Sequence, residues 1–280
     1  MNLAMGSVSY DFTGDVVLIT GAARGLGRDF ALSFARAGAR VAVNDLAGRD
    51  LGDGVPYETG TAGDLDKTVA DAQALGAEVL AVPGDVTSEA HVSAMVDAVV
   101  ERFGRLDILV NNAGVHSGAK AWEMTEAQWD AVVDVDLKAP WLCSKHAARH
   151  MVGREGGGRI ITISSTSGLV GIPDQVNYQS AKHGVIGQIR TLALELAPHD
   201  VTVNAICPTV VSSPMLDHLV ETGAAYFQEV ARLCGASTVF PGLDNLEPVD
   251  VSHAVQWLAS DAARYVTGIA LPVDGGFTCK

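Results

Sequence analysis

Short, almost wholly apolar runs alternate along the chain with longer segments whose apolar residues recur every three to four positions. The runs at 15–20, 40–44, 78–83, 106–110, 159–164, 201–207 and 269–273 are rich in valine and isoleucine, the pattern of strands buried on both faces of a parallel sheet. Between them, helices are predicted from the glycine turn after Thr20 to about 38, over 65–75, from Ser88 to 103, from Thr125 to about 151, over 177–197 and from Pro248 to about 260. Ser88 serves as a helix cap, Thr125-Glu-Ala-Gln128 as a capping box, and Pro248 suits a first helical turn. Alternation without linker or repeat predicts an α/β fold: one domain over 1–280, a doubly wound parallel sheet of about seven strands with helices on both faces.

Two stretches escape the pattern. Residues 46–64 hold five glycines and one proline with no apolar period, an insertion after the second strand that reads equally as a flap over a ligand or as a surface insertion. Residues 208–247 hold scattered apolar residues only: Val210, Met215, Leu216, Leu219, Tyr226, Phe227, Leu233 and Phe240. A substrate lid, an oligomer surface and ordinary core helices all remain open there.

Composition narrows the class. With 280 residues, 48% of them hydrophobic and 19% charged, the chain can bury a large core. No apolar run approaches the roughly 18 residues of a spanning helix, so no membrane association is expected. A net charge of −14 repels nucleic-acid phosphates and anionic lipids. Residues 1–12 lack a basic stretch followed by an apolar core, so no secretory signal is expected and the cytoplasm is the default compartment. Cys143, Cys207, Cys234 and Cys279 lie far apart without CxxC spacing, which predicts neither disulfide nor metal site; Cys207 reads as a buried strand residue.

The candidate chemistry falls at the strand ends. The first strand runs into Gly21-Ala-Ala-Arg24-Gly25-Leu26-Gly27 and then a helix, which makes a phosphate cradle of backbone amides and a positive helix end. Its spacing is GxxxGxG rather than GxGxxG. Asp45 ends the second strand, eighteen residues after Gly27, where a carboxylate accepts from adenine-ribose hydroxyls and repels a 2′-phosphate; NAD is favoured over NADP, although Arg24 pulls the other way. Asp85 and Val86 follow the third strand, where Asp85 can meet the adenine edge or simply turn the chain. Asn111-Asn112-Ala113-Gly114 follows the fourth strand, Ser165 the fifth, and Pro208 and Val210 the sixth, all at the edge where such sheets bind ligands. Tyr178 and Lys182, four residues apart on one helix, share a face. The ammonium is expected to lower the tyrosine pKa towards neutrality, aided by the positive charge of an oxidised nicotinamide.

Thr20-Gly-Ala-Ala-Arg-Gly-Leu-Gly27, Asn111-Asn-Ala-Gly114, Ile163-Ser-Ser165 and Tyr178-Gln-Ser-Ala-Lys182, in this order, resemble the motif set of the short-chain dehydrogenase/reductase family over roughly residues 14–276. The resemblance implies a Rossmann-like sheet and a homotetramer. A narrower likeness lies in Val55-Pro56-Tyr57, in Cys207-Pro-Thr-Val-Val-Ser-Ser-Pro-Met215 and in the stretches Ala263-Arg-Tyr-Val-Thr-Gly268 and Leu271 to Lys280. These look like the carveol-dehydrogenase-type, mycofactocin-associated subgroup, which implies that the insertion holds NAD tightly while an external redox partner reoxidises bound NADH.

By the same resemblance, Tyr178 exchanges a proton with the substrate oxygen, Ser165 hydrogen-bonds that oxygen, and Lys182 binds the nicotinamide ribose and depresses the tyrosine pKa. Asp136 departs from the family pattern, which has asparagine there to support a water linking lysine to solvent; an altered pH profile is expected. His116, Ser117, Trp122, Ile172, Gln175 and Met215 follow the strand ends or line the expected, mainly apolar substrate cleft. His116 reads as a loop histidine rather than a second acid, and His183 as pointing away from Tyr178. The expected function is NAD-dependent interconversion of a secondary alcohol and a ketone on a lipophilic, terpenoid-like skeleton. A 3-ketoacyl-thioester reductase and a catalytically retired NAD-binding sensor or scaffold are the alternatives.

Overall fold

The computed structural model describes residues 7–48, 52–55, 57–222, 230, 232–235 and 238–279. Pro56, Tyr226, Phe227 and Lys280, singled out in the sequence, lie outside the described residues. The apolar runs form seven strands: β1 (Val16–Ile19), β2 (Arg40–Val43), β3 (Val79–Ala81), β4 (Ile108–Asn111), β5 (Gly158–Ile163), β6 (Val201–Pro208) and β7 (Ala270–Val273). They pair in parallel in the order β3-β2-β1-β4-β5-β6-β7. Val17 lies level with Val41 on one side and Ile108 on the other, and the direction of winding reverses between β1 and β4. That reversal opens a crevice at the strands' C-terminal ends.

Strand residues alternate between two cores. Val17 and Ile19 pack with Phe30 and Phe34 of α1 (Gly25–Arg36) and with Val255 and Leu258 of α8 (Pro248–Ala259). Val16 and Leu18 face the opposite layer, where Met95 and Val99 of α3 (Glu89–Phe103), Leu142 and Met151 of α5 (Ala139–Met151), and Val185 and Ile189 of α6 (Val176–Leu196) close the core.

Three elements differ from the sequence reading. The helix expected at 65–75 is α2 (Ala62–Ala74), which starts earlier because Thr61 and Asp64 form a capping box: the Asp64 N–H donates to Thr61 Oγ1 at 3.2 Å and the Thr61 N–H to Asp64 Oδ2 at 2.9 Å. The third strand is shorter than 78–83. The helix expected to run unbroken from 125 to 151 is α4 (Glu126–Val133), then a five-residue π turn (Asp134–Lys138), then α5. Pro140 supplies the reason: it has no N–H for the Asp136 carbonyl and its ring crowds that position, so the turn widens and the Ala139 N–H bonds Asp134 O instead.

The insertion lies on α4. A Cβ on Gly54 would stand 2.5 Å from Ala127 O, so only glycine allows this approach, and Val55 is buried with Val115, Val132, Val135 and Ala181. In 208–247, α7 (Pro214–Thr222) forms and buried Val211 pairs with buried Leu246; the Ser212 N–H donates to Leu246 O and the Leu246 N–H to Val210 O, both at 2.9 Å.

Candidate active site

The turn from β1 into α1 is shaped by close approach. Gly21 has φ +65°, and a Cβ there would stand 2.7 Å from Ala113 Cα; one on Gly27 would stand 2.1 Å from Gly21 O. Asn112 fastens this turn to the end of β4: its Nδ2 donates to Thr20 O at 2.9 Å and Gly21 O at 3.0 Å. The first turn of α1 holds no acidic residue and its cap makes no side-chain bond, so its amides face the cavity without an internal anion.

Asp45 accepts from the Ala23 N–H at 2.9 Å and the Leu46 N–H at 2.8 Å, and burial pushes its carboxyl up despite both bonds. Gly60 of the insertion passes beside it, and Arg24 donates to the carbonyl of Glu58. The Arg24 guanidinium thus tethers the insertion, which weakens the reading in which it pairs with a 2′-phosphate. Asp85 caps its own turn through the Thr87 N–H and hydroxyl at 2.8 and 2.6 Å and also borders the cavity with Val86.

Ser165, at the end of β5, accepts from the Ser167 N–H at 3.1 Å, and its hydroxyl favours the ionised form of the Tyr178 phenol. Lys182 Nζ lies 5.3 Å from the centre of the Tyr178 ring and donates to Ile163 O at 3.1 Å. It also forms an ion pair at 3.0 Å with Asp136 Oδ2; Lys182 is 4% exposed and Asp136 0%. The π turn delivers this carboxylate, whose Oδ1 accepts from the Val115 N–H at 2.8 Å. A Cβ on Gly114 would stand 3.2 Å from Oδ2, so the glycine leaves the carboxylate its room.

The charges do not combine as the Tyr178–Lys182 spacing suggests. Burial pushes the Tyr178 phenol above its ordinary value; Lys182 opposes this and Asp136 reinforces it. The protein's own groups therefore do not lower the tyrosine pKa, and the lowering expected from the sequence also counts on the positive charge of an oxidised nicotinamide. Burial works against a charged Lys182, but the Asp136 carboxylate and the Tyr178 oxygen together outweigh it and hold the ammonium above its ordinary range. Asp136 itself is pushed up by burial against the pull of Lys182 and the Val115 amide.

His116, in the loop after β4, is buried and borders the cavity. Its ring stands edge-on to Tyr178 with centroids 5.2 Å apart, and its Nε2 is 2.9 Å from Gln175 Oε1. Since Gln175 Nε2 donates to Ser167 Oγ at 3.2 Å, the proton of neutral His116 belongs on Nε2. The His116 N–H donates to the Tyr57 hydroxyl at 2.9 Å. Tyr57 was named in the sequence as part of a family likeness and missed as a site residue; the insertion brings it beside Asp136 and Tyr178, where burial pushes its phenol up. The insertion therefore runs from beside Asp45 to the wall that holds His116, Asp136 and Tyr178.

A cavity of about 620 Å³ joins the two halves, bordered by Gly21, Arg24, Gly25, Leu26, Asp45, Asn112, Ala113, Gly114, Pro208 and Val210 and by Ser165, Tyr178, Lys182, Asp136, Ile172, Gln175 and Met215. Its volume suits a small-molecule or cofactor site. Three expected residues stay out of it: Trp122 is 81% exposed, and neither Ser117, fully enclosed, nor buried Gly27 borders the cavity. His183 bonds Gln179 O on the exposed side of α6. Among the described residues no cluster of three or more His, Cys, Asp or Glu can hold a metal, and no helix is long and apolar enough to cross a membrane.

The family model described as Enoyl-(Acyl carrier protein) reductase matches residues 21–278. The chain is 40% identical over 276 residues to (−)-trans-carveol dehydrogenase of Rhodococcus erythropolis, covering 95% of this chain and 98% of that one. The crystal structure of carveol dehydrogenase from Mycobacterium avium in complex with NAD superimposes with a TM-score of 0.88 at 34% identity, covering 97% of this chain and 100% of that one. A short chain dehydrogenase from Mycobacterium paratuberculosis bound to NAD gives 0.90 at 33% identity, with 96% and 100% covered.

Proposed function

Because this chain belongs to the short-chain dehydrogenase/reductase family, we propose that its cavity carries out that family's chemistry with the residues described above. The protein is an NAD-dependent oxidoreductase that interconverts a secondary alcohol and a ketone. The observation that carries the residue assignment is the convergence of Ser165, Tyr178 and Lys182 in the same cavity as the Gly21–Gly27 cradle and Asp45. The fit to NAD rests on that cradle, where a side chain at Gly21 or Gly27 would collide with backbone, and on the inward carboxylate of Asp45.

Bound NAD supplies or accepts the hydride. Tyr178 Oη gives its proton to a ketone oxygen, or takes one from an alcohol. The Ser165 hydroxyl holds that oxygen as its charge changes, and Lys182, kept charged by Asp136, stabilises the phenolate beside it. Asn112 and Asp45 keep the cradle in shape, and the insertion, tied down by Arg24 and Tyr57, covers the cavity.

Ile172, Met215, Val220 and Val230 give the substrate end an apolar wall, which supports a lipophilic, terpenoid-like alcohol or ketone. The finer reading is a cytoplasmic homotetramer of mycofactocin-associated type, with NAD held under the 46–64 insertion, reoxidised in place by an external partner, and with 208–247 as substrate lid. The 36% identity to a 3-oxoacyl-[acyl-carrier-protein] reductase of Synechocystis supports a second reading, a 3-ketoacyl-thioester reductase. Against it stand Asp45 and a charge of −14.

Tyr178→Phe tests the assignment. It is expected to lower kcat for alcohol oxidation by about 10²–10⁴-fold while NAD still binds. Turnover close to wild type in that variant would remove Tyr178 from the proton step.

A further inference from the structure

The Asp136–Lys182 ion pair is a balanced charge in the wall of the cofactor cavity, fully enclosed and bordered by Tyr57, His116, Tyr178 and the Val115 amide. Besides Lys182 the carboxylate faces His116, which also favours its charged form, while Arg24 is bonded to the carbonyl of Glu58. A neutral residue at 136 would leave Lys182 as an uncompensated ammonium in the same wall. Oxidised and reduced nicotinamide rings differ by one positive charge, so such an ammonium opposes the oxidised form and spares the reduced one.

We propose that Asp136 sets the redox balance of the bound cofactor: by cancelling the charge of Lys182, it favours the cationic oxidised ring over the neutral reduced one. The inference rests on the NAD reading of the cavity and goes beyond it to what the site does with its electrons. In the balanced reaction, alcohol and NAD⁺ give ketone, NADH and one proton, the hydride carrying both electrons. Tighter binding of NAD⁺ than of NADH lowers the potential of the bound couple and makes bound NADH the stronger reductant. Asp136 then favours handing electrons onward, to a ketone or to an external acceptor. In this role it is a positioning residue acting through Lys182 and the local field.

The test compares the full-length protein with Asp136→Asn and Asp136→Ser. Dissociation constants for NAD⁺ and NADH are measured by titration at pH 7. Where the cofactor does not exchange, the bound couple is equilibrated with a viologen dye and read at 340 nm. The ratio Kd(NAD⁺)/Kd(NADH) is expected to rise roughly tenfold in both variants, the size of one unit charge at about 10 Å and an effective dielectric constant of about 20. For this two-electron couple a tenfold change is a rise of about 30 mV in bound potential. A purely structural role for Asp136 weakens both forms alike and leaves the ratio fixed; an unchanged or falling ratio in a folded variant overturns the proposal. A wild-type protein that binds neither NAD⁺ nor NADH would instead overturn the NAD reading itself.

Discussion

Tyr178 feels two opposite charges at once, and their balance decides the pH at which it works. Lys182 lowers its pKa, while burial and Asp136 raise it. Alcohol oxidation needs the phenolate, so its rate climbs as pH rises through the Tyr178 pKa. Removing the negative charge with Asp136→Asn lowers that pKa, and the rising limb of kcat/KM for oxidation is expected to move to lower pH; a limb that stays in place would dissociate Asp136 from the proton path. Tyr57→Phe makes a complementary change: it removes the acceptor of the His116 N–H and is expected to cost about 1 kcal/mol in a urea titration. The Tyr178–Lys182 pair was legible because helix spacing alone brings residues i and i+4 together. The third charge was not, since Asp136 meets Lys182 across 46 positions of sequence and through a turn that no periodicity announces.

That turn is the decisive feature among the elements. The 3.6-residue pattern between Thr125 and Met151 reads as one helix, and Pro140 was the signal within it that the helix could not stay regular. Pro140→Ala restores an N–H for the Asp136 carbonyl and allows the wide turn to tighten. The expected result is an unchanged or higher urea midpoint with kcat/KM lowered by about tenfold, because Asp136 rotates off Lys182; a lower midpoint with unchanged kcat/KM would show that the wide turn is not what aims the carboxylate. The start of α2 hid for a different reason. Thr61 and Asp64 carry the capping signal, but the neighbouring Gly60 and Gly63 read as loop. The insertion's course was illegible because contacts that place it, such as Gly54 on Ala127 and Tyr57 on His116, are to distant segments.

Across the whole molecule, strand count and direction followed from the apolar runs, and the switch point between β1 and β4 explains why the glycine cradle, Asn112 and Ser165 share one edge. Cofactor choice belongs to this scale, because Asp45 and the insertion act together. Saturating NAD⁺, at about a hundred times its Kd, is expected to stabilise the fold by about 2.7 kcal/mol, with a much smaller melting shift from equal NADP⁺. Equal shifts would contradict the role given to Asp45. The pairing of Val211 with Leu246 has a further consequence for how such a protein diversifies. Because the chain leaves this bridge at Val211 and returns to it at Leu246, residues added or removed in between leave the seven-strand register untouched, at a loop-closure cost of about 0.6 kcal/mol per doubling of length. Descendants of one ancestral gene can therefore lengthen or shorten this excursion while the strand order and the glycine turn after β1 are inherited unchanged.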